Sequence, residues 1–205
     1  MDNASGAPRR ENWGDYYWVT SGRPPRELLR QTLMRFPRSD GSPRLAIDLG
    51  CGAGIETMAL LEQGWHVLAI DQQQEATAGL VARAGSNFEG RLTTQTASFE
   101  NVQLPPADLI WAALSLPFCP PEHFPRLWKK ITESLRPGGR FAGDFFGVRH
   151  VWAGDKSMTF HTAEQVRALC APLRIEYFIA EEGERMTALH GMQPWHAYSV
   201  VAKKL

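Results

Sequence analysis

Apolar residues in this chain come in short, strand-length runs separated by stretches with helical spacing. Leu45 to Gly54, LAIDLGCGAG, opens as a buried-strand run and passes straight into a turn with three glycines. Ile55, Met58, Ala59 and Leu61 then keep an i, i+3, i+4 spacing until Gly64 stops the helix. The alternation repeats. His66 to Asp71 is a second strand, and a helix from about Gln73 to Arg83 ends near Gly85. Leu92 to Ala97 is a third, partly polar strand, as an edge would be. Ala107 to Leu114 is a fourth, and a helix over Pro121 to Leu135 is halted by a turn at Arg136-Pro137-Gly138-Gly139. Arg140 to Phe146 is a fifth, followed by an irregular insert from Gly147 to Phe160. A helix opens at Thr162, with Glu164 and Gln165 giving a partial capping box. Arg174 to Ala180 and His196 to Val201 are strands with no helix between them, so they pair antiparallel. Ahead of all this, Pro24 to Phe36 presents Leu28, Leu29, Leu33 and Phe36 on one helical face. The pattern predicts an α/β fold on a mostly parallel sheet.

The glycine turn is where chemistry is expected. Glycine permits positive φ and leaves room where a Cβ would meet a ligand, and the helix behind the turn offers free N–H groups. A tight strand-to-helix turn can also be glycine-rich for its own geometry. The nicotinamide-dinucleotide fingerprint requires G-x-G-x-x-G, and here Ile55 stands where its last glycine would be. Asp71 lies about 20 residues past the glycines, where Rossmann-type folds put a ribose-binding carboxylate. An ionised carboxylate accepts from both ribose hydroxyls; an acid at that place also serves as a cap for the next helix.

Composition narrows the field. The chain's 205 residues suit a single domain over 1–205, and its 22 basic residues balance 22 acidic ones. No broad basic face is expected, and hence no nucleic-acid partner. No apolar run reaches the roughly 20 residues that span a bilayer, and the polar start, Met1 to Arg10, reads as a disordered tail and not as a signal peptide. Cys51, Cys119 and Cys170 show no paired spacing, which points to a reducing, cytoplasmic setting. The six histidines show no metal-ligand spacing, so no metal is expected. His150 and His161 flank the insert as candidate bases or as satisfied buried rings.

The D-x-G-x-G-x-G of Asp48 to Gly54 resembles the glycine-rich motif of class I S-adenosylmethionine (SAM)-dependent methyltransferases. Asp71, the LRPGG turn and the closing hairpin extend the likeness from about residue 24 to 205. Small size and the aromatic DYYW before the first helix are similar to the tellurite-resistance and thiopurine-type group. The resemblance implies a three-layer Rossmann-like sandwich with a seven-stranded sheet in the order 3-2-1-4-5-7-6, its last strand antiparallel. It implies SAM as cofactor, S-adenosylhomocysteine (SAH) as product and a small-molecule acceptor. Tyr17, Arg26, Asp48, Gly50, Cys51, Gly52, Asp71, Gln72, Ser98, Phe99 and Ala113 are the expected cofactor residues. Ser98 stands where the family usually carries an acid, and Glu100 comes two residues late. Tyr16, Trp18, Ser115, Phe118, Asp144, Phe146 and Trp152 are expected to form the acceptor pocket, with residues 1–23 as tail and aromatic lid. No catalytic residue is assigned. The loop after the fourth strand reads SLPF, without the N/D-P-P-Y/F of amino-directed enzymes, and Cys119 precedes its proline, unlike a cytosine-C5 catalytic loop. Two other readings stand beside this one: a nicotinamide-dependent oxidoreductase, and a SAM- or nucleoside-binding regulator without catalysis.

Overall fold

β1 (Leu45–Leu49) lies mid-sheet and is fully buried from Ala46 onward, as a strand covered on both faces must be. β2 (His66–Asp71) and β4 (Ala107–Ala112) flank it in parallel, with Ala46 opposite Val67 on one side and Leu109 on the other. The computed structural model describes residues 13–37 and 41–205; the tail expected to be disordered, Met1 to Arg10, lies outside them. β3 (Leu92–Thr96) forms one edge. On the other side come β5 (Leu135–Gly147), β8 (Gly191–Lys203) and β7 (Arg174–Thr187), with β8 antiparallel to both neighbours. The path β3-β2-β1-β4-β5-β8-β7 is the expected order, renumbered because a short further strand, β6 (Phe160–His161), pairs with β5.

The two faces of the sheet bury different residues. Ala46, Leu109 and Trp111 pack with Leu29 of α2 (Glu27–Leu33), Leu60 of α3 (Ile55–Glu62) and Leu80 of α4 (Gln74–Ala84). Ile47, Ile110, Phe141 and Phe145 pack with Leu127 and Trp128 of α5 (Phe124–Ser134) and Val166 of α6 (Ala163–Leu169). Alternate residues of each strand thus feed opposite layers, giving the three-layer sandwich. α6 carries a complete capping box: Thr162 Oγ1 accepts from Gln165 N, and Gln165 Oε1 from Thr162 N at 2.8 Å.

Several boundaries differ from expectation for local reasons. The stretch before the first expected helix is itself a helix, α1 (Trp13–Thr20). Trp13, Tyr16, Tyr17 and Thr20 fall at i, i+3, i+4 and i+7, so they share one face. α2 starts only at Glu27, because Arg26, following two prolines, is extended at ψ 143°. The LRPGG turn is the first part of β5, where the register against β4 shifts between Ala107 and Leu109. The largest difference is the closing hairpin. Its strands run to Thr187 and from Gly191, well past the expected loop at Glu181. β5 pairs with β8 only over Ala197 to Lys203, so the rest is a two-stranded ribbon beyond the sheet. Its outer arm is exposed and rich in Glu and Arg, which hides the strand pattern. Among the described residues no helix is long and apolar enough to cross a membrane.

Candidate functional site

The carboxyl ends of β1, β2 and β4 and the end of β5 face one cavity of about 370 Å³, where open α/β sheets place their ligands. The glycine turn forms its floor. The backbone N–H groups of Gly50 and Cys51 both donate to Ile70 O, at 2.7 and 3.0 Å, tying the turn to the end of β2. Gly50 has φ 76°, and a Cβ there would run into the Ser115 side chain. Gly52 has φ 49°, and a Cβ there would meet the Tyr17 ring at 3.2 Å. The turn is therefore glycine both for its backbone and for what presses on it.

Three carboxylates surround this floor, each engaged differently. Asp71 Oδ2 accepts from Gly52 N at 2.9 Å; Asp71 Oδ1 accepts from Gln73 N at 2.9 Å and from the Tyr17 hydroxyl at 3.3 Å. Asp71 thus holds the entry of α4 and lines the cavity at once. Burial, and then the charge of Asp71, push the Tyr17 phenol upward. Asp48 accepts from Thr57 Oγ1 at 2.6 Å, yet burial drives its carboxyl up to about 7. Glu56 accepts two 2.7 Å bonds from Arg23 and one of 3.1 Å from Arg26 N. That clamp fixes the segment between α1 and α2 against α3. Arg26 lines the cavity, and its Nε is buried without a hydrogen bond, 3.9 Å from Glu56 Oε1 in an ion pair.

The other end of the cavity is aromatic. Trp13 meets Phe118 edge-on at 4.9 Å, and Phe118 in turn lies 6.4 Å from Phe146 and 6.2 Å from Trp152. Trp195 meets Phe146 edge-on at 5.3 Å. Above them sits the ribbon tip, Arg185 to His190. Among the described residues, no group of three or more His, Cys, Asp or Glu could hold a metal ion.

A family model described as "Methyltransferase domain" matches residues 46–139, the span from β1 to the start of β5. TehB from Haemophilus influenzae superposes with a TM-score of 0.70 at 17% identity, over 87% of this chain and 62% of that one. The chain thus spans under two thirds of the TehB chain. A Burkholderia thailandensis 1,6-didemethyltoxoflavin-N1-methyltransferase, solved with 1,6-didemethyltoxoflavin and SAH, gives 0.66 at 19% identity, over 95% and 84% of the two chains. The [4+2]-cyclase SpnF gives 0.63 at 17% identity, over 86% and 80%. No curated protein matches the sequence significantly. The fold is that of the class I methyltransferases. The chain resembles TehB and the 1,6-didemethyltoxoflavin-N1-methyltransferase in that fold.

Within this methyltransferase fold most of the expected residues converge. Tyr17, Arg26, Asp48, Gly50, Cys51, Gly52, Asp71, Gln72, Phe99 and Ala113 all line the cavity, as do Tyr16, Ser115, Phe118, Phe146 and Trp152. Ser115 spends its hydroxyl proton on Leu49 O at 2.5 Å, so it works as a brace between the β4 loop and β1. Three expectations fail. Trp18 is on the outer face of α1 and 82% exposed, because it follows Tyr17 by one position, about 100° round the helix. Ser98 does not line the cavity; its hydroxyl accepts from Asn101 Nδ2, while Ala97 and Phe99 take the wall. Asp144 is buried behind the wall, accepting from Leu114 N at 3.1 Å and Ser199 Oγ at 2.6 Å, so it is an acceptor-pocket residue no longer. The histidines of the insert also stay out of the cavity. His150 stacks on Phe146 at 3.9 Å, and its Nδ1 accepts from Trp152 N. Burial pushes both His150 and His161 down to about 4.

Sequence reasoning missed the Arg23–Glu56 clamp and the ribbon tip with Trp195. The signal for the first was the acid directly after Ile55 in the first turn of α3. For the second it was an unusually long polar interval between two strands.

Proposed function

We propose that this chain is a SAM-dependent methyltransferase acting on a small-molecule acceptor. The observation that supports it most is the joining, in one cavity, of a glycine floor with Asp71 at its rim and an aromatic chamber without metal ligands. The floor fits the cofactor. Its glycines let Tyr17 and Ser115 press close against the turn, Asp71 offers a carboxylate to a ribose diol, and Arg26, whose Nε makes no hydrogen bond and pairs with Glu56 only at 3.9 Å, offers its guanidinium to an amino-acid carboxylate. Gln72 and Phe99 line the same cavity, and we assign them to the adenine.

Held by Asp71, Arg26 and the glycine floor, SAM would supply a sulfonium methyl for an acceptor lone pair, with the C–S electrons kept by sulfur in the product SAH. Any proton on the accepting atom leaves to water. The chain's own part is placement. Tyr16, Phe118, Phe146 and Trp152 exclude water and hold a flat or soft acceptor in line. Their ring faces also favour positive charge at the transferring centre. Neither Asp144 nor His150 nor His161 reaches the chamber, so no dedicated base is assigned. We read residues 1–205 as one methyltransferase domain, acting in the cytoplasm, with α1 as a lid over the glycine floor.

SpnF carries this fold and is named a cyclase, so the fold alone does not decide between catalysis of methyl transfer and other uses. The test is a calorimetric titration with SAM, SAH and NAD, followed by transfer of labelled methyl to a library of small nucleophiles. Micromolar SAM and SAH with weaker NAD is the expected order. Tighter NAD would favour the oxidoreductase reading, and SAM binding without transfer to any nucleophile would favour the regulator.

A further inference from the structure

The cavity is divided by charge. Its three lining carboxylates, Asp48, Glu56 and Asp71, all belong to the cofactor end, and each is engaged there. The aromatic end has no carboxylate on its wall among the described residues. Its charged side chain is Arg185, on the inner reach of the ribbon, with its guanidinium 4.7 Å from the centre of the Trp195 ring. Contact with Trp195 holds the guanidinium at the cavity wall, and its planar fork suits a carboxylate. The ion pair of Arg185 is with Glu181 at 2.9 Å, where both side chains are about half exposed, a pairing that water and salt weaken readily. Asp144, the next acid inward, is turned away to Leu114 and Ser199.

The surrounding rings set the shape. Phe118, Phe146, Trp152 and Trp195 stand tilted or edge-on to one another, which leaves faces and edges for a flat guest. Resting on the methyltransferase reading above, we propose that the acceptor is a planar aromatic molecule bearing an anionic substituent, and that Arg185 on the ribbon tip selects it. The anion exchanges Glu181 for itself as the partner of Arg185. Its ring lies in the chamber walled by Phe118, Phe146, Trp152 and Trp195, and its nucleophilic atom points to the glycine floor. Neutral or cationic analogues meet the same walls without the charge.

The experiment titrates SAH-loaded protein, by calorimetry and by quenching of tryptophan fluorescence, with matched pairs. The pairs are 2-naphthoate and 2-naphthamide, quinoline-2-carboxylate and its amide, and indole-3-carboxylate and its amide. In at least one pair the carboxylate binds about tenfold tighter than the amide, and Arg185→Gln erases the gap while SAH affinity stays unchanged. Arg185→Lys retains part of it. Arg185 is exposed at the sheet margin, so the variant folds; circular dichroism checks this. Equal affinity within every pair, no binding by any member, or a gap that survives Arg185→Gln overturns the proposal. The SAH titration comes first: loss of SAH binding in the wild type overturns the cofactor reading instead, and the pairs are then titrated alone.

Discussion

The Tyr17 hydroxyl donates to Asp71 Oδ1 at 3.3 Å, joining α1 to the end of β2 across 54 positions of sequence. The two backbone donors to the same carboxylate, Gly52 N and Gln73 N, are shorter at 2.9 Å and come from fixed backbone. A ribose hydroxyl approaching Asp71 therefore competes with Tyr17 and leaves the other two bonds in place. Tyr17→Phe keeps the ring on Gly52 and removes the competitor. Its SAH affinity rises by about two- to fivefold, a fraction of one net hydrogen bond. Asp71→Asn keeps an acceptor for the turn and loses the charge, and it weakens SAH by about 10- to 100-fold. A tenfold loss in Tyr17→Phe, read by calorimetry, would make the phenol a ligand contact instead.

Arg26 makes a separate statement about the cofactor's other end. Removing its side chain loses a 3.9 Å ion pair with Glu56 but leaves Glu56 held by the Arg26 N–H and by two 2.7 Å bonds from Arg23. Arg26→Ala is expected to weaken SAH by about 10- to 100-fold, as loss of a charge-assisted bond does. Binding of 5′-methylthioadenosine, which lacks the amino-acid end, is expected to stay within about twofold. Equal losses for both ligands would mean that Arg26 shapes the turn and does not meet a carboxylate.

How far the sequence revealed the site depends on whether a residue's role is local. Gly50, Gly52 and Asp71 are legible because a turn and a strand end dictate both residue type and spacing. The helix α1 was not expected, although Trp13, Tyr16, Tyr17 and Thr20 have helical spacing; read as a cluster of aromatics before the first helix, they put Trp18 inward when it points out. Asp144 looked like an active-site acid because it sits near the end of β5, but alternation turns it toward Ser199 on the neighbouring strand β8, its register partner. The ribbon tip was least legible. Arg185 and Trp195 enter the cavity through strand pairing beyond the sheet, where no buried face imposes a period on the sequence.

Asp48 makes stability fall with rising pH. Burial lifts its folded carboxyl to about 7, above the ordinary value of 3.8, so between those values the folded state holds the proton more tightly than the unfolded chain. The stability linked to that proton is complete below about pH 4 and is lost as pH rises to about 7. His150 and His161 act oppositely. Held down at about 4, they contribute stability above pH 6.5 that is lost as pH falls toward 4. Asp48→Asn keeps an acceptor for Thr57 and removes the first effect alone. Relative to wild type, the variant gains about 4 kcal/mol between pH 4 and pH 8 in urea unfolding. Parallel pH curves for the two proteins would show that Asp48 stays ionised when buried.

Asp144 is expected to matter for geometry and not for proton transfer. Leu114, whose N–H it accepts, has φ 53° and is the one non-glycine residue with positive φ among those described. A left-handed residue of this kind costs about 1–2 kcal/mol and persists only where its surroundings hold it. Leu114 and its neighbours Ala113 and Ser115 line the cavity between the glycine floor and the aromatic chamber. Asp144→Ala leaves Leu114 N and the Ser199 hydroxyl without their buried acceptor, a loss of about 2–3 kcal/mol. For a chain of this size that lowers Tm by about 4–12 °C. Once released, Leu114 relaxes and the wall shifts, so the acceptor KM rises while SAH affinity holds within a few fold. The pH dependence of turnover keeps its shape, because no proton was passing through Asp144. A variant that unfolds at the wild-type temperature but loses one limb of its pH–rate profile would instead identify Asp144 as a base acting through a rearranged wall.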